Sequence, residues 1–111
     1  MRRNSIPIFL IVTVALAAFV GWAVFRTVSK PKRHSVVLHW NPSPTAGVIS
    51  YNVYRGTTRD GPYVKLAALV TDTSYTDWLV SNRRTYYYVV TAVDSASRES
   101  NYSEAVSATI P

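Results

Sequence analysis

Tyr86-Tyr87-Tyr88-Val89-Val90-Thr91-Ala92-Val93 is the stretch on which the fold of this 111-residue chain turns. It is built from aromatic and β-branched residues, which favour a pleated, half-buried surface. Tyr86, Tyr88, Val90 and Ala92 alternate with Tyr87, Val89 and Thr91. Period two is that of a strand with one face turned to a core, and it predicts that the first set points inward. Working outward, the same period recurs. Downstream, Val106, Ala108 and Ile110 close the chain. Upstream lie the short runs Thr73–Thr76 and Tyr63–Leu66, then Tyr51 and Val53 alternating with Asn52 and Tyr54, then Val36, Leu38 and Trp40 alternating with Val37 and His39. Turn-rich segments separate them, such as Asn41–Gly47 and Gly56–Pro62. Six short strands divided by turns predict an all-β sandwich or barrel.

Before Val36 the pattern changes. Ile6–Phe25 (IPIFLIVTVALAAFVGWAVF) contains no charged residue and is apolar on every helical face. As a helix, about 20 residues at about 1.5 Å each span roughly 30 Å, the thickness of a bilayer's hydrocarbon core. Pro7 fits a first helical turn, and Trp22 fits the headgroup level. The sequence therefore predicts a basic tail over 1–5, an uncleaved transmembrane helix over 6–28, a basic linker over 29–34 and a soluble domain over 35–111. Ala15-Leu16-Ala17 resembles a signal-peptidase site, but the apolar run continues well past it.

Charge follows this division. The chain carries net charge +6. Arg2, Arg3, Arg26, Lys30, Lys32 and Arg33 bracket the apolar run, and no acid lies among them. The six bases and six acids from residue 35 onward cancel. The excess is that of a membrane anchor, not of a nucleic-acid-binding surface. The count of bases on the two sides leans toward a cytoplasmic C-terminus. The absence of cysteine excludes disulfide scaffolds, thiolate metal sites and cysteine nucleophiles.

Val36-x-Leu38-x-Trp40, Tyr51-x-Val53, Tyr86-x-Tyr88-x-Val90-x-Ala92-Val93 and Tyr102-Ser103-x-x-Val106-Ser107-Ala108 together resemble a fibronectin type III domain, an immunoglobulin-like β-sandwich. Tyr51-Asn52-Val53-Tyr54-Arg55-Gly56 is similar to strings in the versions carried by bacterial surface and secreted proteins. The resemblance implies a core of Trp40, Tyr51, Val53, Val80, Tyr86, Tyr88 and Val90. It also implies a tyrosine corner, with Val80 six residues before Tyr86. Asn82 stands where the family usually has proline. The family's first strand needs ten or more residues before the tryptophan strand, and few separate the expected helix from Ser35. That strand is expected to be short or missing, which leaves a sheet edge of unpaired backbone groups for linker residues or lipid headgroups to cover, or for a partner strand to join.

No catalytic, cofactor or metal constellation emerges. His34 falls in the linker and His39 alternates outward. The glycines are scattered singly. Asp72 and Asp77 share one strand connection, where solvated turn residues are the expectation. Arg83-Arg84 and Arg98-Glu99 read as solvated loop charge. The aromatics carry more. If Tyr51, Val53, Tyr86 and Tyr88 face inward, Tyr54 and Tyr87 face outward, and the strand holding Tyr63 lies beside them. Tyr54, Tyr63 and Tyr87 then form a candidate surface for sugar stacking or a protein contact, with cross-strand pairing as the plainer role. Trp78 is a further candidate, with burial over the core as its alternative.

The function expected is a noncatalytic binding or spacer module. It is anchored in the bilayer as a single-pass protein of the cytoplasmic membrane, with its C-terminal domain extracytoplasmic and in contact with a protein or cell-wall glycan. Two alternatives remain. One is a small structural subunit of a membrane complex, acting through helix packing at Ala15, Ala17, Ala18 and Gly21. The other is a cytoplasmic domain whose basic flank grips anionic lipid.

Overall fold

Alternation along the chain resolves into seven strands in the computed structural model, which describes residues 10–17 and 33–111. They are β1 Leu10–Ala17, β2 Arg33–Trp40, β3 Val48–Gly56, β4 Val64–Val70, β5 Ser74–Asp77, β6 Thr85–Asp94 and β7 Val106–Thr109. Two antiparallel sheets form, with strand orders β1-β2-β5 and β4-β3-β6-β7. Their facing sides enclose Val36, Leu38 and Trp40 from one sheet. Tyr51, Val53, Tyr86, Tyr88, Val90 and Ala92 come from the other, with Ala108 and Ile110. Each fully buried Val, Leu or Ile side chain here contributes about 1.5–3 kcal/mol. Trp40 and Tyr51 meet edge to face across the sandwich, their ring centres 5.5 Å apart. Val80 is only half-buried, packed against the rim of this core.

Two features pin the loops to the core. The Tyr86 phenol oxygen accepts the Ser81 N–H at 2.9 Å, closing the β5–β6 connection as a tyrosine corner does. At the other end of the sandwich, the Tyr51 phenol oxygen accepts the Ser43 N–H at 2.8 Å.

The N-terminal expectations need correction. Leu10–Ala17 is a strand, not part of a helix, and it pairs along the whole of β2 from Leu10↔Trp40 to Ala17↔Arg33. The family's first strand is therefore present, and the edge of β2 expected to lie open is covered. The physical reason lies on both strands. β2 offers a row of backbone donors and acceptors that an isolated apolar segment needs. Leu10 and Val12 also pack against the core, while Thr13 faces water. The rest of the span expected to be helical, 6–9 and 18–28, lies outside the described residues. No helix long and apolar enough to cross a membrane occurs among the described residues. β2 begins at Arg33, so His34 is a buried strand residue, not part of a linker.

Candidate functional site

The β3–β6 pair carries chemistry on both faces because its side chains alternate between them. Arg55↔Tyr88 lies on the inner side, and Tyr54↔Val89 and Asn52↔Thr91 on the outer side.

On the inner side the central group is Asp77, the last residue of β5. It is 2% exposed, which overturns its reading as a solvated turn residue. Its Oδ2 accepts from Arg55 Nη1 and from the Tyr88 phenol, both at 2.8 Å. Its Oδ1 accepts the Leu79 N–H at 3.0 Å. A buried carboxylate needs this satisfaction, since a charge left bare in the core is costly. Burial, and then the hydrogen bond to Asp77, push the Tyr88 hydroxyl far above the ordinary tyrosine range, so it stays a donor. Arg55 also donates to the Leu79 carbonyl at 2.8 Å and lies over the Tyr86 ring. Asp72 remains exposed in the β4–β5 connection.

On the outer side the central group is Glu99, which was expected to be solvated loop charge. One oxygen, Oε2, accepts from Asn52 Nδ2 at 3.0 Å, from Thr91 Oγ1 at 2.6 Å and from the Tyr54 hydroxyl. Burial pushes its pKa up. The three donors and the nearby Lys65 ammonium outweigh burial, and the carboxyl is held below the ordinary glutamate range. Tyr54 responds in the opposite sense. Burial first, then its hydrogen bond to Glu99, push it up to about 12. Asn52 uses its other end to accept the Leu69 N–H at 3.0 Å. Leu69 sits in a bulge of β4 with φ 55°, so Asn52 ties the bulge to the Glu99 segment.

Above this network stands an aromatic cluster. Tyr54 faces outward as expected, yet it is only 8% exposed, because Tyr102 and Lys65 cover it. Tyr102 makes edge-to-face contacts with both Tyr54, at 5.1 Å, and Tyr63, at 5.3 Å. Tyr63 donates its hydroxyl to the Arg59 carbonyl, and the Arg59 guanidinium lies 5.4 Å from the centre of the Tyr87 ring. Glycine makes room for Tyr63: a Cβ on Gly56 would stand 2.9 Å from the Pro62 carbonyl oxygen and 3.1 Å from the Tyr63 ring. The structure thus gathers Tyr54, Tyr63 and Tyr87 on one face, but through Tyr102 and Arg59, which the sequence did not single out. Tyr102 is the most exposed ring of the four, at 50%. Trp78 does not join them. It follows β5 on the other sheet and is 57% exposed, so it does not cap the core. No group of His, Cys, Asp or Glu side chains that could hold a metal ion occurs among the described residues.

No family model matches the chain. An amylopullulanase of Thermoanaerobacter thermohydrosulfuricus is 45% identical over 73 residues, which is 66% of this chain and 5% of the enzyme. Exoglucanase B of Cellulomonas fimi is 40% identical over 78 residues, 68% of this chain and 6% of the enzyme. The chain therefore matches only a small fraction of these enzymes' length. The matching stretches are noncatalytic modules of the larger hydrolases. A solved structure of an Fn3-like protein from Clostridium thermocellum matches with a TM-score of 0.63 at 40% identity, over 69% of this chain and 77% of that one. The chain belongs to the fibronectin type III-like family, as a noncatalytic β-sandwich module.

Proposed function

We propose that this chain is a noncatalytic binding module whose outer β3–β6 face contacts a polysaccharide through Tyr102 and Tyr63. Tyr102 carries the reading. It is half exposed, yet held in place by edge contacts from Tyr54 and Tyr63. A ring that is rigid on one side and wet on the other suits stacking on the C–H face of a sugar. Lys65 and Arg59 stand beside the rings as hydrogen-bond donors for hydroxyl groups. Similarity to stretches of an amylopullulanase and an exoglucanase supports a glycan over a protein partner. The test is retention of the full chain on insoluble starch, cellulose and purified cell wall. Retention that Tyr102→Ala abolishes supports the reading. Retention on none of the three, or retention insensitive to that change, turns the search to a protein ligand.

The location we infer is the cytoplasmic membrane, with the domain on its outer side. The uncharged run 6–25 bracketed by basic residues supports the membrane. The outer side rests on the glycan reading, against the lean of the flanking bases toward a cytoplasmic C-terminus. In lipid, Leu10–Ala17 would exchange its pairing with β2 for intrahelical hydrogen bonds, the arrangement that satisfies every backbone group within one segment. Protease digestion of cells with an opened outer barrier and a sealed inner membrane checks this. Cleavage of the domain before lysis supports it, and protection until lysis places the domain in the cytoplasm.

A further inference from the structure

The domain's balanced charge is not evenly spread. β1 ends and β2 begins at the same end of the sandwich, where Ala17 pairs with Arg33. The β5–β6 connection lies at that end too, since β6 starts at Thr85 opposite Thr109 and β5 finishes at Asp77 opposite Val36. This end presents exposed Arg33, Arg83 and Arg84. Its acids are Asp60, which is exposed, and Asp77, which is buried and paired with Arg55. Asp72 and Asp94 lie at the opposite end, beyond Val70 and at the close of β6, and there Arg98 pairs with Asp94 at 2.6 Å. Exposed bases are thus in excess at the end where β2 begins.

The same basic end carries two large exposed apolar side chains side by side, Trp78 at 57% and Leu79 at 77% exposure. They are not on a loose loop. The Leu79 N–H is held by Asp77 and its carbonyl by Arg55. Farther along, Arg83 N–H donates to the Ile110 carbonyl at 3.1 Å, and Ile110 N–H to the Arg84 carbonyl at 2.8 Å. Ile110 is itself a core residue. The Arg55–Asp77 pair and a core residue therefore hold the backbone of the connection that carries Trp78, Leu79, Arg83 and Arg84, all four of them exposed.

We propose that this end of the sandwich docks on an anionic lipid surface, with Trp78 and Leu79 entering the headgroup–acyl boundary and Arg33, Arg83 and Arg84 pairing with phosphates. The combination selects the occupant. Arginines alone would serve any polyanion, but an exposed Trp-Leu pair beside them gains only where an apolar layer lies just beneath the charge. Docking here sets the tilt of the domain and leaves the Tyr102 face on the side of the sandwich free of the membrane. It involves only residues of the sandwich, so it holds whether or not residues 6–25 span the bilayer.

Because the chain has no cysteine, a single one can report on it. Ser81→Cys in the full chain, labelled with a polarity-sensitive fluorophore, sits in this connection. Thr71→Cys, exposed at the opposite end, is the control. Each is mixed with phosphatidylcholine vesicles with and without phosphatidylglycerol. The Ser81 label is expected to shift to the blue only with phosphatidylglycerol, and the Thr71 label not at all. Arg83→Gln with Arg84→Gln should weaken the response about thirtyfold, on the basis of two lost lipid-facing charges. Trp78→Ser should remove the shift while weakening association less. An unmoved Ser81 label on anionic vesicles, equal shifts at both sites, or the same shift with soluble heparin overturns the proposal. Failure of the anchor reads separately. Anchored chain stays with neutral vesicles whatever its label does, whereas docked but unanchored chain leaves anionic vesicles at high salt.

Discussion

Two carboxylates, one on each face of the same strand pair, show how differently this module uses a charge. Asp77 and Glu99 each accept a tyrosine hydroxyl, from Tyr88 in one case and Tyr54 in the other. Asp77 is almost wholly buried and has a guanidinium partner. Glu99 is half-buried and is held by neutral donors, with Lys65 nearby. The first joins the two sheets, since its partners lie on β3 and β6 while it ends β5. The second joins one sheet to the segment that carries Tyr102. Asp77 therefore maintains the sandwich, and Glu99 maintains the surface built upon it.

The largest effect should come from breaking the inner site. Asp77→Ala leaves Arg55 without its partner and the Tyr88 hydroxyl unsatisfied in the core. The expected loss is about 3 kcal/mol, toward the low end for a broken buried pair because Arg55 keeps some contact with water. Tyr88→Phe removes one hydrogen bond and leaves the ion pair in place, for an expected loss of about 1.5 kcal/mol. Urea unfolding midpoints check both. In the double variant the losses should fall short of additive, because both changes act on one network. Full additivity would show that Asp77 and Tyr88 do not work as a unit.

The sequence made the inner faces legible and left these carboxylates obscure, for one physical reason. Tyr86, Tyr88 and Val90 declare their side by alternation with their immediate neighbours, and Trp40, Tyr51 and Val53 do the same. Asp77 declares nothing locally: Arg55 lies 22 residues before it and Tyr88 lies 11 after. Glu99 is likewise joined to Tyr54 and Asn52 across 45 and 47 residues. Tyr63 and Tyr54 could be placed on neighbouring strands, but Tyr102, which joins them, falls in an irregular segment with no period to read. The N-terminal run was ambiguous for a different cause. Leu10–Ala17 is apolar enough for lipid and also rich in residues that suit a strand. Thr13, exposed next to a half-buried Val12, and the unpaired edge expected on β2 were the available signs of pairing.

Glu99→Gln probes the outer site with a smaller change. The amide keeps the shape and can set its oxygen where Oε2 stands, but it loses the charge that the three donors were arranged around. A loss of about 1 kcal/mol is expected at neutral pH. The acid limb sharpens the test. Glu99 is held below its ordinary value in the folded chain, so its contribution is present above the unfolded glutamate pKa. It is lost as pH falls through that value to the depressed folded one. Glu99→Gln should flatten stability across this window, and Tyr102→Ala should leave the slope in place. A cost as large as that of Asp77→Ala would erase the distinction between the two faces.

An effect on stability no larger than that belongs to the residue on which recognition depends. Tyr102→Ala removes a half-exposed ring and two edge contacts, for a loss of about 1 kcal/mol, the low end for two aromatic pairs because the ring is half in water. The hydrogen bonds beneath it do not require it: Tyr54 still donates to Glu99, and Tyr63 still donates to the Arg59 carbonyl. The fold should survive almost unchanged while retention on polysaccharide disappears. Tyr102→Phe, which keeps the ring and loses the hydroxyl, should restore most of that retention if stacking carries the contact. Retention restored by neither the ring nor the hydroxyl would assign Tyr102 to the network below it, and would make the outer face a support like the inner one.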